Sequence, residues 1–238
     1  MIWPVAPAAA GADKADRLIA VLADGMGGHA GGAIASRLVC EAFLGSIVQA
    51  PGPNPERLRG GLEAANNALS VEVESQPALA GMGSTLIGTL FGHEGLEWVS
   101  VGDSPLYLYR AGEVALLNED HSLAPALDQM AAEGRLTFEQ ARNDPRRHLL
   151  RSAVTGDELE LVDLSKRALE LRDGDYVVLA SDGIHTLEPG EIARVITAYH
   201  ADGCEAVAAA LIRAVEQMRD PHQDNTTVAV VRPLAAVG

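Results

Sequence analysis

The stretch from Leu18 to Gly32 constrains this chain most. An apolar run, Leu18-Ile19-Ala20-Val21-Leu22-Ala23, breaks into Asp24-Gly25-Met26-Gly27-Gly28-His29-Ala30-Gly31-Gly32. A short apolar run bounded in this way reads as a buried strand, here ending in a carboxylate. Five glycines within eight residues leave the backbone free to turn sharply or to approach a ligand closely. A helical pattern follows from Ala33. Taken alone, the stretch has a tight turn with one exposed Asp as its alternative reading.

The pattern recurs. Tyr176-Val177-Val178-Leu179-Ala180-Ser181 ends in Asp182-Gly183, Trp98-Val99-Ser100-Val101-Gly102 ends in Asp103-Ser104, and Asp224-Asn225 directly precedes the apolar run Thr226 to Val231. Scattered placement would put most of the 33 acidic residues on helix faces and in loops. Carboxylates at four strand ends point instead to convergence on one pocket.

At 238 residues and 47% hydrophobic content, the chain reads as one domain over residues 1–238, large enough to bury a core. Residues 1–16, rich in Ala and Pro, read as an irregular N-terminal segment. No apolar run approaches the roughly 20 residues of a membrane span, and Met1-Ile2-Trp3-Pro4 does not begin a signal peptide. The expectation is a cytoplasmic monomer without membrane insertion. A net charge of −15 argues against nucleic acid, whose phosphates are held by clustered Lys and Arg. Cys40 and Cys204 lie far apart on apolar helical patterns and imply neither a disulfide framework nor a zinc site.

Along the chain, Ala33 to Gln49 shows the wide apolar stripe of a core-facing helix. Pro51-Gly52-Pro53 breaks it, and Asn54-Pro55-Glu56 supplies a capping side chain, a proline suited to a first turn and a favourable acid for a second long helix. Ser84 to Phe91, Leu96 to Val101, Leu106 to Tyr109 and Val114 to Leu117 read as an antiparallel meander. Residues 124–158 read as a flap-like insertion with two short helices. Leu159 to Leu164 and Asp175 to Ala180 return to strand, helices over Ile192–Ile196 and Val207–Met218 follow, and Thr226 to Val231 closes the fold. Helices in pairs and strands in a block predict a layered α+β sandwich rather than alternating βαβ units.

Gly25-Met26-Gly27-Gly28-His29-Ala30 satisfies the dinucleotide fingerprint G-x-G-x-x-[GA] after a strand, which keeps a dinucleotide-binding enzyme as a remote alternative. Against it, Asp24 would set a negative charge beside the pyrophosphate. No Walker loop and no G-x-S-x-G elbow occur. Aspartate oxygens select hard cations, Mg²⁺ or Mn²⁺, over zinc. Two such ions activate water for in-line attack on phosphorus, so Asp24, Asp182 and Asp224 suggest a phosphoester substrate.

These residues resemble the metal-dependent protein phosphatases, the protein phosphatase 2C family. Four blocks match in order: Ala23-Asp24-Gly25-Met26-Gly27-Gly28-His29, Val101-Gly102-Asp103-Ser104, Ala180-Ser181-Asp182-Gly183 and Asp224-Asn225-Thr226-Thr227. Met82 to Leu86, Asp120 to Leu123 and Pro145 to Arg151 are similar to weaker family segments. The resemblance implies a four-layer α-β-β-α sandwich, two mostly antiparallel sheets flanked by helix pairs, of bacterial type. It implies two Mn²⁺ or Mg²⁺ ions, with Asp24 bridging them, the Gly25 carbonyl on one, and Asp182 and Asp224 on the other. Asp103, with Asp182, matches positions holding a third, weaker ion. The implied catalytic set is therefore Asp24, Asp182 and Asp224. The implied activity is hydrolysis of phosphoserine and phosphothreonine in proteins, opposing a Ser/Thr kinase, with Arg146 and Arg147 of the flap as candidates to hold substrate.

The chain departs from the family pattern in places. Pro105 stands where many members carry Arg beside the third-ion position. Met26 stands where some carry a His proposed as general acid, so leaving-group protonation falls to water, with His29, His121 and His185 as other candidates. The family's N-terminal segment, with a phosphate-holding Arg and an Asn-Glu-Asp-like support for the second metal, would fall among Met1 to Ala8, none of which is Arg, Asn, Glu or Asp. The expectation is a chain that starts late, lacking an edge strand and that Arg, with a weakly held second metal and poor turnover. The alternative is a catalytically silent member that binds phosphoproteins or a regulatory partner.

Overall fold

The computed structural model describes residues 2–5 and 17–233. Strand β1 (Ile2–Val5) pairs antiparallel with β2 (Arg17–Leu22), Ile2 opposite Ala20 and Val5 opposite Arg17. Ile2–Val5, expected from the sequence to be irregular, is thus a strand, and the edge strand expected to be missing is present. Pro4, which lacks an amide donor, is tolerated because β1 is outermost in its sheet. The rest of the N-terminal segment lies outside the described residues.

After β2 come β3 (Gly25–Met26), the long helices α1 (Gly28–Gln49) and α2 (Asn54–Ser75), and the short β4 (Gly83–Ser84). The meander follows as β5 (Leu86–Gly92), β6 (Gly95–Val101), β7 (Leu106–Arg110) and β8 (Glu113–Leu116). The segment read as a flap from the sequence, residues 124–158, carries α3 (Ala124–Ala132) and α4 (Phe138–Arg142). The chain then runs through β9 (Asp163–Leu164), β10 (Tyr176–Ala180), α5 (Pro189–Tyr199), α6 (Cys204–Met218) and β11 (Val228–Val231). One sheet has the order β1-β2-β5-β6-β9, the other β11-β10-β7-β8, and every pairing within them is antiparallel. With β2 flanked on both sides by antiparallel neighbours, no parallel βαβ unit surrounds the glycine loop, which removes the dinucleotide-enzyme alternative.

The two-residue period of a strand sorts the side chains into three cores. Ile19 and Val21 of β2 face α1 and α2, joined by Leu86, Leu90, Val99 and Val101. Ala20 and Leu22 face the opposite sheet, meeting Leu106, Leu108, Val177 and Leu179. Tyr176, Val178 and Ala180 pack under Ile192, Ile196, Val207 and Leu211 of α5 and α6. The result is the four-layer α-β-β-α sandwich. In its first core the Phe43 ring of α1 lies against Gly61 of α2 and Gly88 of β5, and a Cβ at either glycine would overlap the ring.

Several boundaries differ from the sequence expectation. Helix α1 starts at Gly28, not Ala33, because Gly27 at φ 112° turns the chain straight out of the strand. Residues Ala30–Gln49 are apolar enough, by length and composition, to cross a bilayer, contrary to the sequence reading; Ala and Gly raise their mean hydropathy without forming a run of large apolar residues. Val39, Phe43 and Ile47 of this helix are fully buried in the first core. Asn54 does not cap α2, whose N-cap is Pro53; its amide Nδ2 donates instead to Glu97 Oε2 at 2.5 Å. The strand expected over Leu159–Leu164 shrinks to Asp163–Leu164.

Candidate metal centre

All four strand-end carboxylates open onto one cavity of about 730 Å³, lined among others by Asp24, Gly25, Asp103, Asp182, Asp224 and Asn225. Each is fixed through its backbone. Asp24 is clamped by the Ser84-Thr85 pair: its amide donates to Thr85 Oγ1 at 3.0 Å, and its carbonyl accepts from the Thr85 amide at 2.8 Å and from Ser84 Oγ at 2.9 Å. Beyond it, Gly25 packs on the first turns of α1 so closely that a Cβ at Gly25 or Gly32 would run into the other's backbone. That is the local reason for glycine at 25 and 32, whereas a Cβ at Gly27, at φ 112°, would stand 2.7 Å from the Met82 Cα.

Asp103 sits on a turn held by His121. The Gly102 amide donates to His121 Nδ1 at 3.2 Å, and the His121 amide donates to the Gly102 carbonyl at 3.1 Å. Burial lowers the His121 pKa, so the ring is neutral with its proton on Nε2 and supports the turn as a structural residue. Asp182 follows β10 on a single 3₁₀ turn, Asp182–Thr186. Ser181 ties this turn to the Asp224 loop, since its hydroxyl donates to the Asn225 carbonyl at 3.1 Å and accepts from the Thr227 amide at 2.9 Å. The Ser181 amide still donates to the Thr227 carbonyl at 3.0 Å, but the Thr227 amide goes to the Ser181 hydroxyl instead of its carbonyl, so the ladder ends there and β11 begins at Val228 rather than Thr226. Gln223 adds a second tie, its Nε2 lying 2.9 Å from the Gly183 carbonyl and 2.8 Å from that of Asp224. Gly183 makes the approach possible, because a Cβ there would stand 2.5 Å from Thr226 Oγ1 and 2.6 Å from the Asn225 carbonyl.

The electrostatics are those of crowded acids. Burial first, then the charges of Asp182 and Asp224, push Asp24 up to about 6. Burial, then Asp182, Asp120 and Asp24, push Asp103 up to about 7. Asp182 is raised by burial and next by Asp224, with His185 and His148 opposing. Its Oδ1 is buried and has no hydrogen-bond partner. An orphaned carboxylate oxygen among mutually repelling carboxylates fits a hard cation, which would satisfy the one and relieve the other. Among the described residues no three acidic, His or Cys side chains form a ready cage. Mg²⁺ is usually held in that open manner, by one or two carboxylates plus water and substrate phosphate.

Arg146 and Arg147 do not join this cavity. Arg146 is folded onto Asp144, with Nε and Nη2 at 3.0 and 2.8 Å from its two oxygens, and Arg147 grips Asp128 of α3 at 2.7 and 2.8 Å. Both charges are spent inside the flap. The basic residue that does line the cavity is Arg151, a few positions on, beside His148, Leu149 and Leu150. Position alone could not separate Arg151 from the two earlier arginines; Asp144, two residues before Arg146, is a signal for Arg146 alone, since Arg147 is held by Asp128. His185 is exposed on the 3₁₀ turn, and the His29 side chain lies outside the described residues. Met26 lines the cavity and brings no proton to it.

Comparison with known proteins places the chain further. The family pattern described as protein phosphatase 2C matches residues 8–227. The serine/threonine protein phosphatase PstP of Mycobacterium tuberculosis is 39% identical over 216 residues, which are 90% of this chain and 40% of that protein. The chain therefore spans about two fifths of that relative's length. The serine/threonine phosphatase stp of Listeria welshimeri is 31% identical over 182 residues, covering 74% of this chain and 70% of that protein. Among solved structures, the catalytic domain of PstP in complex with two manganese ions superposes with a TM-score of 0.72 at 32% identity, over 97% of this chain and 94% of that one.

Proposed function

The chain belongs to the protein phosphatase 2C family, and from that premise we propose that it is a Mn²⁺- or Mg²⁺-dependent hydrolase of phosphoserine and phosphothreonine in proteins. The observation that carries the reading is the meeting of Asp24, Gly25, Asp103, Asp182 and Asp224 around one cavity, with the buried Asp182 Oδ1 left unsatisfied.

Asp24 and the Gly25 carbonyl would hold the ions from the β2 side, and Asp182 and Asp224 would hold one of them from the β10 side. Asp103, with Asp182, would take a third ion more weakly. When bound, the ions supply Lewis-acid activation of the phosphoryl group and of the attacking water. The chain's own work is placement. Ser84, Thr85, Ser181 and Gln223 keep the ligands fixed, so little reorganisation accompanies the reaction. Arg151 orients the phosphate in place of Arg146 and Arg147, and Leu149 and Leu150 limit water on the flap side. Met26 offers no proton at its place in the cavity, so the leaving alkoxide would be protonated by water. The substrates are phosphoproteins marked by a Ser/Thr kinase, met by a cytoplasmic monomer.

Release of phosphate from a phosphothreonine peptide, with and without added Mn²⁺, tests the reading. Turnover that rises with Mn²⁺ and disappears in Asp182→Ala is expected. No turnover above the metal-free control would leave only a silent, phosphoprotein-binding member of the family.

A further inference from the structure

A second cavity, of about 560 Å³, opens beside β9, the last strand of its sheet, and shares no lining residue with the carboxylate cavity. Arg110, Lys166, Arg167 and Arg172 line it, four of the chain's 18 basic residues gathered in a protein of net charge −15. Only Asp163 and Glu170 oppose them there. Asp163 is occupied, its Oδ2 accepting from the Trp98 indole Nε1–H at 2.9 Å and from the Glu119 amide at 3.1 Å.

The basic side chains divide into one fixed and three exposed. Arg110 is held against buried Asp175, with Nε 2.9 Å from Oδ1 and Nη2 2.6 Å from Oδ2, while Nη2 also donates to the Glu170 carbonyl at 2.9 Å. Lys166, Arg167 and Arg172 are exposed. Among the described residues these three make no ion pair and donate no side-chain hydrogen bond. Elsewhere on the surface Arg142, Arg146, Arg147 and Arg194 each find a carboxylate. A chain with acids to spare thus leaves Lys166 and Arg167 without a carboxylate partner and Arg172 only in the wider field of Asp175, and like charges held together repel one another until an anion joins them. Guanidinium forks and an ammonium around one concavity suit a tetrahedral dianion that accepts several charge-assisted hydrogen bonds at once.

We propose that this cavity is a binding site for a phosphate dianion, either free or carried on a polypeptide side chain. It does not depend on the reading of the carboxylate cavity. Trp98 lines the site, and its indole N–H reports on it locally. The chain carrying Asp182→Ala, labelled with ¹⁵N-tryptophan and kept in EDTA, is titrated with inorganic phosphate, with a phosphothreonine peptide and with the same peptide unphosphorylated. A saturable shift of the Trp98 resonance is expected, with affinity falling about tenfold or more in Lys166→Glu/Arg167→Glu and also in the milder Arg172→Gln. Tighter binding of the phosphopeptide identifies a polypeptide as the source of the dianion; binding of inorganic phosphate as tightly or more so identifies the free anion. No saturable shift with either phosphate probe, an equal response to the unphosphorylated peptide, or affinity unchanged in both variants overturns the proposal.

Discussion

Asp103→Asn should make the metal-free protein more stable while weakening its grip on a third ion. Burial and three neighbouring carboxylates lift the Asp103 pKa from 3.8 to about 7. The folded state therefore binds a proton more tightly than the unfolded one, and stability falls as pH rises from the unfolded value to the folded one. A shift of about three pKa units corresponds to about 4 kcal/mol at face value. Asp103 keeps some contact with solvent across the cavity mouth, and screening there brings the figure down to about 1 to 2 kcal/mol. For a domain of this size that is a rise in Tm of roughly 2 to 8 °C. The assay is thermal unfolding of both proteins in EDTA at pH 7.5 and pH 4.5. At the lower pH most of the wild-type carboxyl is protonated when folded, so the gain should shrink to about half of its value. Saturating Mn²⁺ should also erase much of it, because the cation relieves the same repulsion in the wild type. An Asn variant melting at or below wild type in EDTA at pH 7.5, or a gain that ignores pH, would refute the claim that repulsion dominates this site.

Asp182→Ala should abolish Mn²⁺-dependent turnover and the tightest Mn²⁺ binding, whereas Asp103→Ala should keep the tight sites and lose only a weak one; calorimetric Mn²⁺ titration gives the ranking, and the reverse order would be fatal to the assigned roles. Arg151→Ala should raise KM about tenfold, the scale of one charge-assisted contact to phosphate, while Arg146→Ala and Arg147→Ala leave KM within about twofold; steady-state kinetics on a phosphopeptide decides. Gly183→Ala should push the Asp224 loop away from Asp182, lowering Mn²⁺ affinity while the far-ultraviolet circular dichroism stays unchanged, and unaltered affinity would count against the close packing of these two turns.

The acids were legible in the sequence because each borders an apolar run, and a run that must be buried has one place for its charge, the rim. Strand periodicity and helix stripes were legible for the same reason: Ile19 and Val21 against Ala20 and Leu22, or Leu58, Leu62, Ala65 and Leu69 on α2, need only a buried side. What depended on a distant partner was not. Asn54 reads as a cap until Glu97, 43 positions on, takes its amide. Arg147 reads as a substrate contact until Asp128, 19 positions before it, is seen to hold it. Ile2–Val5 is too short to signal a strand, and only β2 beside it makes it one. Gln223 has no motif value, and its role emerges only where two turns from different strands meet.

The ring of Phe43, seated in the space that side chains at Gly61 and Gly88 would occupy, ties three distant positions into one unit of inheritance. A larger residue at Gly61 or Gly88 has nowhere to go while the ring is present, and a smaller residue at 43 leaves a hole while the glycines remain. Each position tested singly would therefore score as nearly invariant, although the constraint belongs to their summed volume and not to any one of them. A lineage can cross from this packing to another only by way of a weakened intermediate or by paired changes. Libraries that vary the three codons together would reach cores that position-by-position scanning would declare forbidden.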